Sequence, residues 1–112
     1  MVQDCLFCKI VAGEVPATVV LEDADWLAFE DIAPKAPVHV LVIPKRHLVD
    51  IGELGADPAL AAAVVAGIGA TARHLGLPAF RTVFNTGAEA GQAVFHLHAH
   101  VLGGRSMNWP PG

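Results

Sequence analysis

Three of the six histidines fall within five residues, in Val94-Phe95-His96-Leu97-His98-Ala99-His100-Val101. Imidazole is the side chain that serves as base, nucleophile or ligand near neutral pH. An extended strand sends alternate side chains to opposite faces and rises about 3.3 Å per residue. His96, His98 and His100 are therefore expected on one face, each roughly 6.5 Å from the next, with Phe95, Leu97, Ala99 and Val101 turned to the core. A merely solvated face would more often carry Thr, Lys, Glu or Ser. A metal held by all three is the other chemical reading, but a straight strand spaces alternate residues too widely for one ion to reach more than two.

Two further groups carry chemistry. Upstream of the histidines lies Asn85-Thr86-Gly87-Ala88-Glu89-Ala90-Gly91-Gln92. Glycines let a ligand approach the backbone closely, and successive N–H groups can form an anion-binding nest. Near the start, Cys5-Leu6-Phe7-Cys8 puts two thiols at i and i+3, on one side of a helix. Zinc sites use such pairs, completed by two more Cys or His. The chain has 2 cysteines in all, so histidines must complete any such site. The other readings are two small buried residues, or a redox pair, although a redox pair is expected to follow a strand.

The elements that must position these groups are short. A helix is expected over residues 4–11, stopped by Gly13, and strands over 18–21 and 26–29, joined by the turn-forming Glu22-Asp23-Ala24-Asp25. Pro34 and Pro37 precede a strand over 38–43 that Pro44 ends. Asp57 before Pro58 reads as an N-cap and first helical residue. The helix should run to about His74, with Leu60, Val64, Ile68 and Leu75 on its apolar side and Gly76 and Pro78 ending it. A strand over 81–85, a flexible turn over 87–91 and a last strand over 94–102 follow. Five short strands on short connections, with one main helix and a short N-terminal helix, predict an α+β fold with an antiparallel sheet. Residues 103–112 read as a tail.

A chain of 112 residues is expected to form one domain, over 1–112. Met1-Val2-Gln3-Asp4 lacks the basic flank and apolar stretch of a signal peptide. The longest uncharged run, residues 58–72, is rich in Ala and Gly and falls short of the ~20 residues a bilayer requires. A cytoplasmic location with reduced thiols is expected, with no membrane partner. The net charge of −4 argues against a polynucleotide, which would call for a basic face. One small anionic ligand is compatible with it.

Pro37-Val38-His39, Leu41-Val42-Ile43-Pro44-Lys45-Arg46-His47, Gly91-Gln92 and the His-x-His-x-His segment together resemble the histidine triad family. The tail, with Leu102-Gly103-Gly104-Arg105, Met107 and Trp109-Pro110-Pro111-Gly112, resembles that of its Hint branch. The resemblance implies a homodimer of α+β protomers that binds purine nucleotides and cleaves at the α-phosphorus, as in nucleoside phosphoramidate hydrolysis. It implies that His98 is the nucleophile and that His100 contacts the phosphate. Asn85, Gly91 and Gln92 would line the phosphate pocket, and Asp31 would bind the ribose. Leu6, Phe7, Ile10, Phe29 and Ile32 would form the base pocket, with Trp109 reaching a neighbouring protomer's site. Zinc-bearing members imply that His47 and His96 join Cys5 and Cys8 around a structural zinc, and no organic cofactor is implied. Ala93 departs from better-known relatives, which carry a hydroxyl there. A nucleotide-binding regulatory module without turnover would use the same pocket.

Overall fold

The computed structural model describes residues 4–112; the N-terminal reading at Met1 to Gln3 lies outside them. Helix α1 spans Leu6–Val11. Strands β1 (Val19–Glu22), β2 (Trp26–Glu30) and β3 (Val38–Pro44) follow, then helices α2 (Ile51–Gly55) and α3 (Pro58–His74), and strands β4 (Phe80–Val83) and β5 (Ala99–Gly103). The five strands form one antiparallel sheet in the order β1-β2-β3-β5-β4, which is the α+β arrangement expected.

Local chemistry accounts for the helix ends. The Asp57 side chain accepts from the Leu60 N–H, and Pro58 occupies the first turn of α3, where its missing donor costs nothing. After α1, Gly13 takes φ +77°, a left-handed conformation that favours glycine. Its N–H donates to the Ile10 carbonyl while Glu14 donates back to Lys9. Helix α2 is an addition to the expected elements. Asp50 caps it by accepting from the Glu53 N–H, and the Glu53 carboxylate accepts from Val49 at 2.6 Å. Residues 88–90 of the expected flexible turn form a short 3₁₀ turn.

The sheet has two covered faces. On one, α3 packs Val64 and Ile68 against Trp26, Ala28, Val40, Val42, Ala99 and Val101. On the other, α1 packs Phe7 and its two cysteines against Leu27, Phe29, Leu41 and Ile43. Strand alternation assigns these sets: in β3, even-numbered residues face α3, and His39, Leu41 and Ile43 face away. Among the described residues, no helix is long and apolar enough to cross a membrane.

The last strand is shorter than expected. Pairing with β3 begins at Val42 opposite Ala99, and pairing with β4 begins at Val83 opposite His100. Upstream of Ala99 no ladder is available, and the chain bends at residues 94–96. The bend breaks the alternation at Phe95. Leu97, Ala99 and Val101 are buried as expected, but Phe95, expected in the core, is 49% exposed.

The helix–sheet contact is closest where α3 has no side chain. A Cβ on Gly67 would lie 2.6 Å from the Trp26 ring, under van der Waals distance. Trp26 is buried and cannot swing aside. Gly67→Ala should therefore cost about 1–3 kcal/mol, read as a lowered midpoint of thermal unfolding. An unchanged midpoint would mean that α3 slides freely on the sheet.

Candidate functional site

With Leu97, Ala99 and Val101 on the α3 side, the three histidines lie on the α1 side of the sheet, as expected, and Phe7 of α1 meets both His96 and His98. At the bend, His96 aims its Nδ1 at the two cysteines rather than at the other two rings. His98 and His100 stay together, with ring centroids 4.9 Å apart. His39, to which no role was assigned from the sequence, joins them, because β3 lies beside β5 and its alternation sends residue 39 to the same face. Its ring centroid is 5.2 Å from that of His100.

Hydrogen-bond partners fix the proton on each ring. Nδ1 of His98 lies 2.8 Å from the His96 carbonyl. A carbonyl only accepts, so Nδ1 carries the proton and Nε2 presents a lone pair. Nδ1 of His39 accepts from the Lys35 N–H at 3.0 Å, so Nε2 of His39 carries the proton. It donates to Nδ1 of His100 at 2.9 Å, which leaves the His100 proton on Nε2. That Nε2 is buried and has no partner. A buried donor without an acceptor is costly, and an anionic ligand would satisfy it. The site therefore presents an imidazole lone pair on His98 beside an imidazole donor on His100.

Burial pushes the His100 imidazole down to about 4, helped by the neighbouring His98 and His39. It lowers His39 too, against the opposing pull of Asp31. Neutral rings are what the arrangement needs. Asp31 lies 3.4 Å from Nε2 of His39 through one carboxylate oxygen, while the other accepts from the Ala33 N–H at 2.8 Å. Asp31, His39 and His100 bring ligand atoms close together, but they do not suit a metal. The Lys35 N–H occupies one nitrogen of His39, and the other holds a proton.

A cavity of about 260 Å³ adjoins these groups, lined by Asp31, Lys35, His39, Val83, Asn85, His100 and Leu102. Asn85 meets the glycine turn here: Gly91 has φ +98°, and its missing Cβ would sit 3.7 Å from the Asn85 amide. Gln92 acts within the turn. Its oxygen accepts from the Gly87 N–H at 2.9 Å, and its amide donates to the Val49 carbonyl at 2.7 Å.

The residues expected around a base are brought together only in part. Phe7 and Phe29 are buried edge to face at 5.4 Å, and Phe7 sits in the same way on His98 at 5.2 Å. Ile10 packs at the margin of that cluster. Ile32 is fully exposed and lines a separate cavity with Asp31, Pro16 and Thr18. Leu6 lines a third cavity of about 490 Å³, with His47, Val49, Ala93 and Phe95. Trp109 is 80% exposed, and its ring lies 5.8 Å from the Arg81 guanidinium carbon.

The third histidine belongs to a different centre. Cys5, Cys8, His47 and His96 place one ligand atom each within 4.8 Å of one another. Nδ1 of His96 is 3.3 Å from Sγ of Cys5, 3.6 Å from Sγ of Cys8 and 3.3 Å from Nδ1 of His47. Nδ1 of His47 is 3.4 Å from Sγ of Cys8. A tetrahedral zinc with bonds of about 2.0–2.3 Å separates its ligand atoms by roughly 3.3–3.8 Å, so the donor set and its spacing fit such an ion. The free nitrogen is on the correct side, because Nε2–H of His96 donates to the Pro44 carbonyl at 2.8 Å and leaves Nδ1 unprotonated. That bond is the orienting contact metal-binding histidines ordinarily have. Burial raises the Cys5 thiol, so a thiolate there calls for a cation beside it.

Comparison with known proteins identifies the family. The HIT domain model matches residues 12–107. A HIT family hydrolase from Legionella pneumophila superposes with a TM-score of 0.92 at 49% identity, over 97% of this chain and 100% of that one. The 14 kDa zinc-binding protein of Brassica juncea is 42% identical over 97% of this chain and 100% of its own. Adenylylsulfatase HINT1 of Arabidopsis thaliana is 42% identical over 96% of this chain and 76% of its own.

The neutrality of His100 has a consequence for stability. The unfolded ring takes up a proton near 6.5, the folded one only near 4. Below 6.5 the unfolded chain binds the proton first, so the stability tied to the neutral ring is complete above that pH and drains away between 6.5 and about 4. His100→Gln should lose less stability than the wild type from pH 7.5 to pH 5, measured by urea unfolding. Parallel losses in the two proteins would contradict the neutral ring.

Proposed function

The chain belongs to the HIT domain family, and from that premise we propose that it is a Hint-like hydrolase that splits purine nucleoside phosphoramidates, or related nucleotidyl conjugates, through a nucleotidyl-histidine intermediate. The observation that carries the reading is the pairing of a free Nε2 on His98 with an unpartnered N–H on His100.

Nε2 of His98 attacks the α-phosphorus. A nitrogen–phosphorus bond forms to the ring, the bond to the amine breaks, and the amine leaves with a proton drawn from water. Water then attacks the same phosphorus, the ring–phosphorus bond breaks, and a nucleoside monophosphate departs. Two easier displacements replace one hard one. Throughout, Nδ1–H of His98 stays on the His96 carbonyl, which stabilises positive charge as it grows on the ring. The His100 donor faces the phosphate oxygens in a water-poor setting, where a fixed hydrogen bond is worth most.

Around that centre, Asn85, Gly91 and Gln92 shape the phosphate turn and Asp31 offers its freer oxygen to the ribose. Phe7 and Phe29 form the apolar wall for the base, with Leu6, Ile10 and Ile32 toward the rim. Cys5, Cys8, His47 and His96 would hold a zinc, which would cross-link α1 to the sheet. The whole chain, 1–112, is one such domain with 103–112 as its tail. The exposed Trp109 suits a homodimer in which this tail reaches the other copy. Two free thiols accord with a cytoplasmic setting.

His98→Ala should bind AMP and lose turnover by more than about a thousandfold. Mass spectrometry of the wild type quenched during turnover should find the nucleotidyl group on His98. An adduct elsewhere would refute the scheme. AMP binding without any adduct or amine release would identify a regulatory module.

Ala93 bears on which substrates are used. A methyl group cannot donate or accept a hydrogen bond, whereas a positioned general acid speeds amine departure by about 10²–10⁴. An amine with a high pKa must be protonated as it leaves; an aryl amine needs less help, and a sulfate, the leaving group the name adenylylsulfatase implies for the Arabidopsis relative, needs none. Ala93→Ser should therefore raise rates on alkyl-amine substrates and leave aryl-amine substrates nearly unchanged. An equal effect on both series, or none, would show that the missing hydroxyl does not limit the reaction.

A further inference from the structure

The nucleophile's acceptor belongs to a metal ligand. His96 gives its side chain to the Cys5, Cys8 and His47 cluster and its backbone carbonyl to Nδ1–H of His98, at 2.8 Å. These residues precede β5, so no sheet ladder holds them. Three contacts replace it: Leu97 N–H to the Leu48 carbonyl at 2.6 Å, Nε2–H of His96 to the Pro44 carbonyl, and Nδ1 of His96 facing the cluster. A ring tethered at one nitrogen can still pivot about that bond. A ring tethered at both cannot, and its peptide is held with it. Helix α1 closes the arrangement from the other side. Phe7, between the two cysteines, lies edge-on to His96 at 5.9 Å and to His98 at 5.2 Å.

We propose that the Cys5, Cys8, His47 and His96 centre is a positioning device for the nucleophile as well as a structural cross-link: with metal bound, the His96 carbonyl is held where it keeps the His98 proton on Nδ1 and its Nε2 free. This rests on the reading of His98 as the nucleophile. The positioning residue is His96, which acts through His98 and touches no substrate. When the metal is lost, His96 keeps one side-chain tether, its carbonyl moves, and His98 samples the Nε2–H tautomer, which has no lone pair to offer phosphorus. Ground-state binding of nucleotide depends on other groups and should change little.

The test compares zinc-loaded wild type, the same protein after chelation, and Cys5→Ser. Sγ of Cys5 also caps α1 by accepting from the Cys8 N–H. A serine hydroxyl makes that cap at least as well, so the variant removes a ligand and keeps the helix start. Nitrogen-15 spectra of the imidazoles should show one Nδ1–H tautomer for His98 in the zinc-loaded protein. A mixture is expected in the two metal-poor forms, with return to one tautomer when zinc is restored to the chelated wild type. In parallel, kcat on an adenosine phosphoramidate should fall about tenfold or more, on the scale of other contacts that orient metal ligands, while AMP affinity changes by less than about twofold. A metal-poor protein that keeps its circular dichroism, its single His98 tautomer and its kcat overturns the proposal. So does a purified wild type without zinc, or a Cys5→Ser chain that simply unfolds, since the ion would then be a fold requirement alone. The ring spectrum needs no substrate, so it decides the positioning claim even if the proposed reaction proves wrong.

Discussion

The site depends on the antiparallel pairing of β3 with β5 and on the residue at which it stops. Five residue pairs, from Val38–Gly103 to Val42–Ala99, place the two strands side by side. On one face they set His39 against His100. On the other they bury Val40, Val42, Ala99 and Val101 beneath α3, so the register that serves the core also serves the histidines. A shift of one residue would exchange the two faces. Upstream of Ala99 the ladder ends, and the freed chain lets His96 give its ring to the cysteines and its carbonyl to His98.

Within that frame, identical side chains differ in what they present because their neighbours differ. A backbone carbonyl beside His98 demands a donor, and a backbone N–H beside His39 demands an acceptor. The second constraint passes through His39 to His100 and emerges as an N–H with nothing to bind. Burial keeps His100 and His39 largely neutral, so the assignment is not erased by protonation at moderate acidity. The polarity of the site thus starts from main-chain groups, directly at His98 and through the His39 ring at His100.

Much of this was legible in the sequence. The limits of α3 followed from Asp57-Pro58 and Gly76, because caps and stops are local chemistry. The cysteine pair and the candidate ligands His47 and His96 stand where the family resemblance implied. Other features depend on contacts distant in sequence. Where β5 ends depends on where β3 and β4 end, and alternation within residues 94–102 contains no sign of it. The role of His39 is set by His100, 61 residues away. Its signal was a lone polar residue within an apolar strand, and a strand covered on both faces gives such a residue only one use, a buried partner. Helix α2 was missed for a local reason. Asp50 and Glu53 have capping-box spacing, but five residues are too few to show an apolar period. Ile32 was expected beside Phe29 and stands in solvent, since it follows the end of β2, where alternation no longer applies.

The two tryptophans stand in opposite surroundings. Trp26 is sealed beneath Gly67, and Trp109 is open to water in the tail. The chain has no tyrosine to add to their emission. The protein therefore carries two optical reporters that answer to different events. A small neutral quencher reaches Trp109 and leaves Trp26 dark to it, while a shift in the protected fraction of the fluorescence registers only when the helix lifts from the sheet. Docking of the tail and opening of the core can be followed separately in the native chain, with no label attached.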